Sequence, residues 1–423
     1  KVLVQADGKI VVAGYSVGST TGQDFAVVRY NLDGSLDTTF GGTGKVTTDL
    51  GSADEGGWSA ALQSDGKIVV VGRRFNGTTD DIVLIRYNTN GTLDSSFGIG
   101  GSVIYDGGAS EQALGVTIKP DGEIIVVGSS NLFGDTDVFS VRFNSSGTLI
   151  DYDGFDYYGL SDVGNSVAIQ SDGKYLVAGY ATYIDGFKYI SLIRYNADGS
   201  PDATFGSAGA VITAVGVADD VARSVLVQPN GKIIVTGYTV DDVTGKNFLV
   251  MRYNANGTLD TTFDLSGYTS TDLGSLDEGA WGAALQTDGK IIVVGSRFNG
   301  SSEDLVLIRY NSDGSIDTTF GSSGSVITPA GSGVGSGWSV ALQSDGRIVV
   351  TGSSSNVPNQ DIITLRFNTN GTIDNTFGGQ AAGSPIITSN GGGATASVSV
   401  SENSTAVTTV AATDPDVGQT PVY

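Results

Sequence analysis

Apolar residues occur along the chain in short β-branched runs that turn-forming residues interrupt at regular intervals. Residues 58–106 contain four such pieces: WSAALQ (58–63), KIVVVG (67–72), DIVLIRYN (81–88) and GSVIYD (101–106). The two middle pieces are continuous apolar runs, which are typical of strands covered on both faces. SDGK and NTNG, which join the first two and the last two pieces, indicate hairpin turns. Because no segment combines helical periodicity with capping residues, we predict an all-β protein.

The same four-piece unit occurs seven times. Its first hairpin, DGK or a close variant, recurs at steps of 51 to 58 residues. A four-stranded unit of this length, repeated seven times, predicts a seven-bladed β-propeller with four-stranded blades over residues 1–388. The alternatives fit less well, because a β-solenoid has shorter rungs and separate sandwich domains need about 100 residues each. The seven hairpins begin at Asp7, Asp65, Asp121, Asp172, Asn230, Asp288 and Asp345.

Antiparallel blades sort their loops between two rims. Both tight hairpins of each blade are expected on one rim, and the longer loops and blade-to-blade crossovers on the other, where binding sites are expected. The first blade is expected to start within its innermost strand at Val2, and the seventh to end near Ser384–Ser389. Ring closure is therefore expected to depend on packing between blades, with no shared blade.

The motif LQSDGKIVVVG, followed by DIVLIRYNTNGTLDSSFG, resembles the delta-sixty-type repeat of large secreted bacterial proteins. The resemblance covers roughly residues 1–388 and implies a propeller within a multidomain secreted or surface protein, with no assigned catalytic residues. Residues 389–395 form a Gly-rich linker. Residues 396–423 resemble the start of a cadherin-like β-sandwich, which implies calcium ligation by acidic residues of its motifs: Glu402, Asp414 and Asp416.

Composition narrows the possible partners and chemistry. The 423 residues carry a net charge of -23, which disfavours nucleic acid and anionic lipid as partners. No apolar run is long enough to predict membrane insertion. The absence of His and Cys excludes Ser-His-Asp triads, Cys-His pairs and imidazole or thiolate metal sites. Since the chain opens inside a strand pattern, we expect a fragment of a longer extracellular or cell-surface protein, with a monomeric propeller.

An Arg before Tyr-Asn or Phe-Asn recurs in every unit. An Asp follows it eight residues later in six units and nine residues later in the third, at Asp151. A functional site seldom needs seven identical copies, so we predict an architectural Arg–Asp bridge across the third and fourth strands of each blade. The seven arginines are Arg29, Arg86, Arg142, Arg194, Arg252, Arg309 and Arg366.

The segment between this Arg and its Asp resembles half of a calcium loop. In the first unit it reads Asn31-Leu-Asp33-Gly34-Ser-Leu-Asp37, with oxygen-bearing side chains at alternate positions. The position of Asp33 is Asp in three units, Asn in three and Ser in one. Because calcium affinity follows carboxylate count, an Asx-type turn with a glycine at positive φ is the favoured interpretation.

Five units place an acid ten residues before the first hairpin. In a propeller this crossover position is expected near the mouth of the central channel. Converging carboxylates repel one another unless a cation bridges them, so one hypothesis is a calcium site there, and calcium is the one candidate cofactor. The favoured alternative is that these acids are solvated and cap backbone N–H groups. They are Glu55, Glu111, Asp162, Asp220 and Glu278.

Units two and six share an aromatic and basic pattern, DEGGWSAALQ with RRFNGTTDD and DEGAWGAALQ with SRFNGSSED. Trp beside Arg, Asn and carboxylates is typical of sugar-binding sites, through stacking and bidentate hydrogen bonds. Packing of the Trp between adjacent blades is the favoured alternative. The candidate ligand-binding residues on the variable rim are Trp58, Arg74, Phe75, Asn76, Trp281, Arg297, Phe298, Asn299 and Trp338.

Three functions remain open. We expect a non-enzymatic binding or display module, in adhesion or protein interaction, with a protein or glycan ligand. The first alternative is a carbohydrate-binding propeller that uses the rim aromatic residues. The second is a glycoside hydrolase, which needs paired carboxylates about 5 to 10 Å apart. Because the acids have near-equal roles in every unit and the S-x-D-x-G-x-T-W box of sialidase propellers is absent, we predict no enzymatic activity.

Overall fold

The computed structural model describes residues 1–18, 22–52, 54–132, 134–156, 159–329, 334–354, 361–379 and 386–388. These residues form seven four-stranded antiparallel sheets, each with its strands in chain order. The predicted fold class, an all-β propeller with seven four-stranded blades, is therefore confirmed. The predicted linker and cadherin-like segment, with Glu402, Asp414 and Asp416, lie outside the described residues.

The strands run in sets of four along the chain, and one short 3-10 turn, Phe377–Gly379, lies in the seventh blade. By blade, the strands are β1 Val2–Val4, β2 Ile10–Gly18, β3 Gly22–Tyr30 and β4 Lys45–Thr48; β5 Glu55–Leu62, β6 Ile68–Phe75, β7 Asp80–Tyr87 and β8 Ser102–Tyr105; β9 Glu111–Ile118, β10 Ile124–Ser130, β11 Asp137–Phe143 and β12 Leu149–Phe155; β13 Asp162–Ile169, β14 Tyr175–Thr182, β15 Lys188–Tyr195 and β16 Ala210–Thr213; β17 Val221–Val227, β18 Ile233–Asp241, β19 Gly245–Tyr253 and β20 Tyr268–Thr271; β21 Glu278–Leu285, β22 Ile291–Phe298, β23 Glu303–Tyr310 and β24 Ser325–Thr328; β25 Val334–Leu342, β26 Ile348–Ser354, β27 Ile362–Phe367 and β28 Ile386–Thr388.

The second strand of each blade explains why the β-branched runs are continuous. In β10, Val126 packs in a cluster with β6 and β7 of the preceding blade, whereas Val127 packs with β14 and β15 of the following blade. Successive side chains of a strand point to opposite faces, so a strand between two other blades must be apolar at every position. Burial of each such side chain contributes about 1.5–3 kcal/mol, which makes the blade interfaces the core of the molecule.

The ring closes without a shared blade. The first strands of neighbouring blades contact one another around the ring, and β25 of the last blade contacts β1 of the first. The Val2 N–H donates to Ser339 Oγ at 3.2 Å, and the Gly378 N–H donates to the Asp33 carbonyl. Among the described strands, β1 pairs with β2 of its own blade and with no strand of the last blade. The ring is thus closed by packing between complete blades.

A β-bulge interrupts the first strand of blades 2 to 7. The bulge brings a first-strand carbonyl close to the second strand, so a Cβ on Gly72 would lie 1.8 Å from the Gly56 carbonyl oxygen. This contact is the physical reason for the glycine that ends KIVVVG and its copies. In each of these strands the bulge leaves a residue unpaired and re-aims its side chain. These residues are Trp58, Leu114, Asn165, Arg223, Trp281 and Trp338. In β25, a second register shift lies between Val334 and Gly337.

The first strands also line an open cavity of about 470 Å³, mainly with small and aliphatic side chains such as Thr117, Ser166 and Val225. Within the described residues, no helix is long and apolar enough to cross a membrane.

Candidate functional site

The seven predicted arginines lie on the rim of the tight turns, which we call the turn rim. Arg29 Nε donates to Asp37 Oδ2 at 2.7 Å, and its guanidinium lies 4.6 Å from the centre of the Phe40 ring. Its Nη1 donates to the Thr89 carbonyl of the next blade at 2.5 Å. The other six repeat both hydrogen bonds, with Asp94, Asp151, Asp202, Asp260, Asp317 and Asp374 as carboxylates and a carbonyl of the following blade.

This arrangement differs from a bridge across the third and fourth strands of one blade. In six blades the Asp lies in the turn that follows the third strand, whereas in blade 3 Asp151 lies on the fourth strand opposite Arg142, as predicted. In all seven blades the guanidinium also reaches forward to the next blade. In the seventh blade, Arg366 Nη1 donates to the Leu32 carbonyl of the first blade, so the same contact closes the ring. Burial alone would raise the pKa of Asp37, but hydrogen bonds from Lys9 and Thr39 and the charge of Arg29 hold it well below its usual range.

The segment that resembled a calcium loop forms a turn. Asp33 Oδ1 accepts hydrogen bonds from the Ser35 N–H at 2.9 Å and the Ser35 hydroxyl at 2.6 Å. Gly34 has a φ of 86°, as an Asx-type turn requires. Because Asp37 is already bonded to Arg29, the segment has no set of free carboxylates for an ion.

The five acids predicted near the channel mouth lie at the opposite, crossover rim. Each begins or directly precedes a first strand and is 3% exposed or less. Glu55 Oε1 and Glu278 Oε1 each accept a crossover N–H at 2.6 Å, from Leu50 and Leu273. Glu111, Asp162 and Asp220 also accept backbone N–H groups. They therefore cap the backbone, but the expectation that they are solvated is wrong, because the chain folds over them.

Two of these acids belong to clusters of three at blade interfaces. Each cluster joins a third-strand acid, the acid that directly follows the fourth strand, and the acid that begins the next blade. Within each cluster the carboxylate oxygens lie within 4.8 Å of one another. Sequence reasoning missed the first two members of each set, although an Asp at the start of the third apolar run was the available signal. The clusters are Asp24, Asp49 and Glu55, and Asp137, Asp156 and Asp162.

Burial and nearby negative charges raise the pKa of three crossover-rim acids, Asp137, Glu111 and Glu278, whereas the pKa values of the turn-rim Asp residues are lowered. Burial, with the charges of Asp156 and Asp135, raises the pKa of Asp137 to about 6. Burial is also the main cause that raises the pKa of Glu111 to about 7 and that of Glu278 to about 7. Burial at the crossover rim thus disfavours the charged form of these carboxyl groups.

In blades 2 and 6, an arginine occupies the position opposite the third-strand acid. Arg74 Nε lies 3.4 Å from Asp81 Oδ2, and Asn76 Nδ2 donates to the same carboxylate at 2.7 Å. Arg297 and Asn299 bind Asp304 in the same way, at 3.3 and 2.7 Å. The expectation that these Arg and Asn side chains join the Trp residues is therefore wrong. Phe75 and Phe298 end their strands with 42% and 43% exposure.

The three Trp residues are the bulge residues of their first strands. Trp281 and Trp338, in adjacent blades, have ring centres 4.9 Å apart, and Arg223 lies 4.6 Å from the Trp281 ring centre. Each indole N–H donates to a second-strand serine at 3.3 Å, Ser296 or Ser353. We call Arg223, Trp281 and Trp338 the Arg-Trp row. Trp338 remains 45% exposed. The row therefore packs between blades and also presents an indole ring to solvent.

Arg223 was not predicted, although it lies three residues after Asp220, as Trp281 does after Glu278. Burial lowers its pKa, and its Nε has no hydrogen-bond partner among the described residues. Its charge also interacts with Tyr180 and Tyr238. On the other side of the ring, Trp58 is 40% exposed, with the Arg73 guanidinium 5.8 Å from its ring centre. The bulge residues therefore offer stacking faces together with an unused hydrogen-bond donor.

Comparison with known proteins identifies the repeats. A family model described as a domain of unknown function (DUF5122) beta-propeller matches seven segments, and no curated protein matches the chain. The matched segments are residues 5–40, 63–97, 119–149, 170–205, 228–263, 286–320 and 343–377.

Several solved propellers resemble the chain at low identity. The polysaccharide lyase Uly1 has a TM-score of 0.49 and 11% identity, over 87% of this chain and 89% of its own. The Hadza microbial sialidase Hz136 has a TM-score of 0.46 and 13% identity, over 80% and 72%. An oxidoreductase described as a glucose dehydrogenase, from Thermus thermophilus, has a TM-score of 0.42 and 13% identity, over 72% and 95%. At such identities the likeness shows the fold alone.

These matches correct the prediction that the protein is not an enzyme. That prediction relied on the near-equal roles of the acids in the repeats and on the absence of a sialidase box, but the similar propellers include a lyase, a sialidase and an oxidoreductase. Function has to be argued from the site and not from the fold.

Proposed function

The chain belongs to the DUF5122 beta-propeller family, and from this premise we propose that it is a carbohydrate-binding propeller of a secreted or cell-surface protein, acting in adhesion. The observation that carries the proposal is the Arg-Trp row. Two indole rings from adjacent blades lie 4.9 Å apart beside a guanidinium, and the outer indole is nearly half exposed.

The chemistry of the row suits a sugar. Indole faces bury the C–H faces of pyranose rings, while their polar edges keep a hydrogen-bond partner. Here both indole N–H groups are already bonded to Ser296 and Ser353, so the rings are held in place. Trp281 packs between Arg223 and Trp338, and the outer Trp338 ring remains available, with 45% exposure. The guanidinium of the half-buried Arg223, 4.6 Å from the Trp281 ring centre, brings positive charge and N–H donors close to the indoles for a ligand oxygen.

The backbone holds these groups in place. Each residue of the row is the extra residue of a β-bulge on a first strand, and bulges on rigid strands fix the direction of a side chain. A preorganised site loses less conformational entropy on binding than a loop would. A ring position that holds three Trp residues and one Arg in a chain with three Trp residues in all supports a binding role.

A glycan array probed with the purified chain tests the proposal, followed by calorimetry on any glycan that binds. We expect Trp338→Ala and Arg223→Gln each to weaken binding about tenfold, which corresponds to about 1.4 kcal/mol. Phe298→Ala is the matched control, because Phe298 is equally exposed but lies outside the row, and it should bind like the wild type.

An array without hits, or equal affinity of Trp338→Ala and wild type, would overturn the proposal. Incubation of the bound glycan with the protein, followed by chromatography, measures turnover in the same samples. A shortened glycan in these samples would show that the row binds a substrate.

A further inference from the structure

We propose that the cluster of Asp137, Asp156 and Asp162, between blades 3 and 4, binds a calcium ion. This inference does not depend on carbohydrate binding, because the cluster and the Arg-Trp row share no residue. It concerns a site that links three pieces of chain: the third strand of one blade, the crossover, and the first strand of the next.

The spacing of the oxygens suits one ion. Asp137 begins β11, Asp156 directly follows β12, and Asp162 begins β13. Their carboxylate oxygens lie within 4.8 Å of one another. Calcium–oxygen distances are about 2.4 Å, so two oxygens on one ion lie at most about 4.8 Å apart. All three carboxylates can therefore reach a common centre.

The second observation is the state of Asp137. Its side chain is buried, with 1% exposure, and neither carboxylate oxygen has a hydrogen-bond partner among the described residues. A buried carboxylate without partners carries a large desolvation cost. Asp137 lies close to Asp156 and Asp162, so a positive charge among the three would offset this cost. Asp156 is exposed and provides access from solvent.

At two other blade interfaces, an arginine occupies the position beside the third-strand acid where we propose the calcium ion. Arg74 and Arg297 stand opposite Asp81 and Asp304 in the β-register of blades 2 and 6 and bind them. The residue opposite Asp137 in blade 3 is Ser130, which carries no charge. Where the chain supplies no cation, the same third-strand acid requires one from solution.

The donors select the type of ion. The cluster offers only oxygen, and three carboxylates with Asp135 nearby match a hard cation and not zinc or copper. The Thr136 carbonyl accepts the Asp162 N–H at 2.5 Å, so a further oxygen lies beside the cluster. Calcium accepts six to eight oxygens in flexible geometry, whereas magnesium demands a tight octahedron. Ligands from three chain segments of irregular placement therefore favour calcium.

The cluster of Asp24, Asp49 and Glu55 has the same construction between blades 1 and 2. There, however, Arg74 stands opposite Glu55 in the β-register, and its Nη1 reaches the Leu50 carbonyl. This nearby guanidinium opposes a second positive charge, so we expect weaker calcium binding at that interface.

Calorimetric titration of the chelator-treated full chain with calcium chloride, together with thermal unfolding with and without calcium, tests the proposal. The wild type should bind calcium with a Kd of about 1 mM or below, the range of extracellular calcium modules, and should unfold at a higher temperature when calcium is present. Asp137→Asn should weaken the tighter binding at least tenfold and lose most of the thermal shift. Asp81→Asn, at the equivalent position already bound by Arg74, should keep both.

Several results would overturn the proposal. These are a wild type without binding heat or thermal shift at millimolar calcium, or Asp137→Asn with wild-type affinity. An equal shift with magnesium would overturn the assignment to calcium. If Asp137→Asn fails to fold, as judged by circular dichroism, Asp156→Asn at the exposed ligand gives the same test, with the same expected loss.

Discussion

The two rims of the propeller treat their acidic residues in opposite ways. On the turn rim, the Asp that follows each third strand is bonded to an arginine of its own blade, and that arginine bonds a carbonyl of the next blade. On the crossover rim, acids are buried beside other acids, and the chain supplies an arginine only at some interfaces. The pKa of Asp37 is consequently held below its usual range, whereas that of Glu278 is raised to about 7.

This difference separates two tasks. The turn rim repeats one contact seven times, which is what a ring needs for equal interfaces and for closure through Arg366. The bulge residues within the first strands and the charges of the crossover rim vary from blade to blade, and these positions hold the candidate glycan and ion sites. The acids of the turn rim stabilise the fold at neutral pH. The crossover-rim acids whose pKa burial raises, such as Asp137 and Glu278, destabilise it until a proton or an ion arrives.

The largest expected effect is a difference in unfolding free energy between arginine variants at the two rims of blade 6. Arg309→Gln on the turn rim should lower the free energy of unfolding by about 3 kcal/mol, because it leaves the buried Asp317 without its closest guanidinium. Arg297→Gln on the crossover rim should cost about half as much, because Arg297 is more exposed and its contact with Asp304 is longer, at 3.3 Å. Urea unfolding measures both. Equal losses would show that the two rims do not differ in stability.

The pH dependence of stability is the next effect. Burial raises the folded pKa of Glu278 from 4.5 to about 7, so between these values the folded state binds more protons than the unfolded state. Stability in chelator should therefore fall as the pH rises from about 4.5 to 7, by about 2 kcal/mol for this group. Glu278→Gln should remove this part of the slope and stabilise the protein at pH 8. A variant with the wild-type slope in urea titrations would contradict the assignment.

The smallest effect tests whether an arginine stands in for an ion. Arg74→Ser leaves the interface of Asp81, Asp106 and Glu111 with acids alone. It should lower the free energy of unfolding by about 1 kcal/mol when a chelator is present. Calcium should restore most of this loss, measured as a difference in unfolding midpoint. Arg297→Ser is the control, because Pro329 stands at that interface in place of Asp106, and calcium should not restore it. Equal recovery of both variants would break the parallel between arginine and ion.

Much of the fold and less of the site could be predicted from the sequence. The blade count, the four strands of each blade and the two rims follow from local patterns: β-branched runs, hairpin residues and a repeat near 57 residues. The contacts of Arg74 were predicted wrongly, because proximity to Trp58 in the motif does not determine which side of the strand a residue faces. Arg223 was missed because it contacts Trp281 across a blade interface, 58 residues away in the chain.

The sequence by itself determined the architecture, because the strand pattern and the turn chemistry are local properties repeated in every unit. Only the tertiary structure decided how the acids are used. The residue opposite the third-strand acid is Ser130 for Asp137 and Arg74 for Asp81. Which residue faces the acid is decided only when the strands pair. Likewise, Asp137, Asp156 and Asp162 come together because a crossover folds over the end of one blade and starts the next.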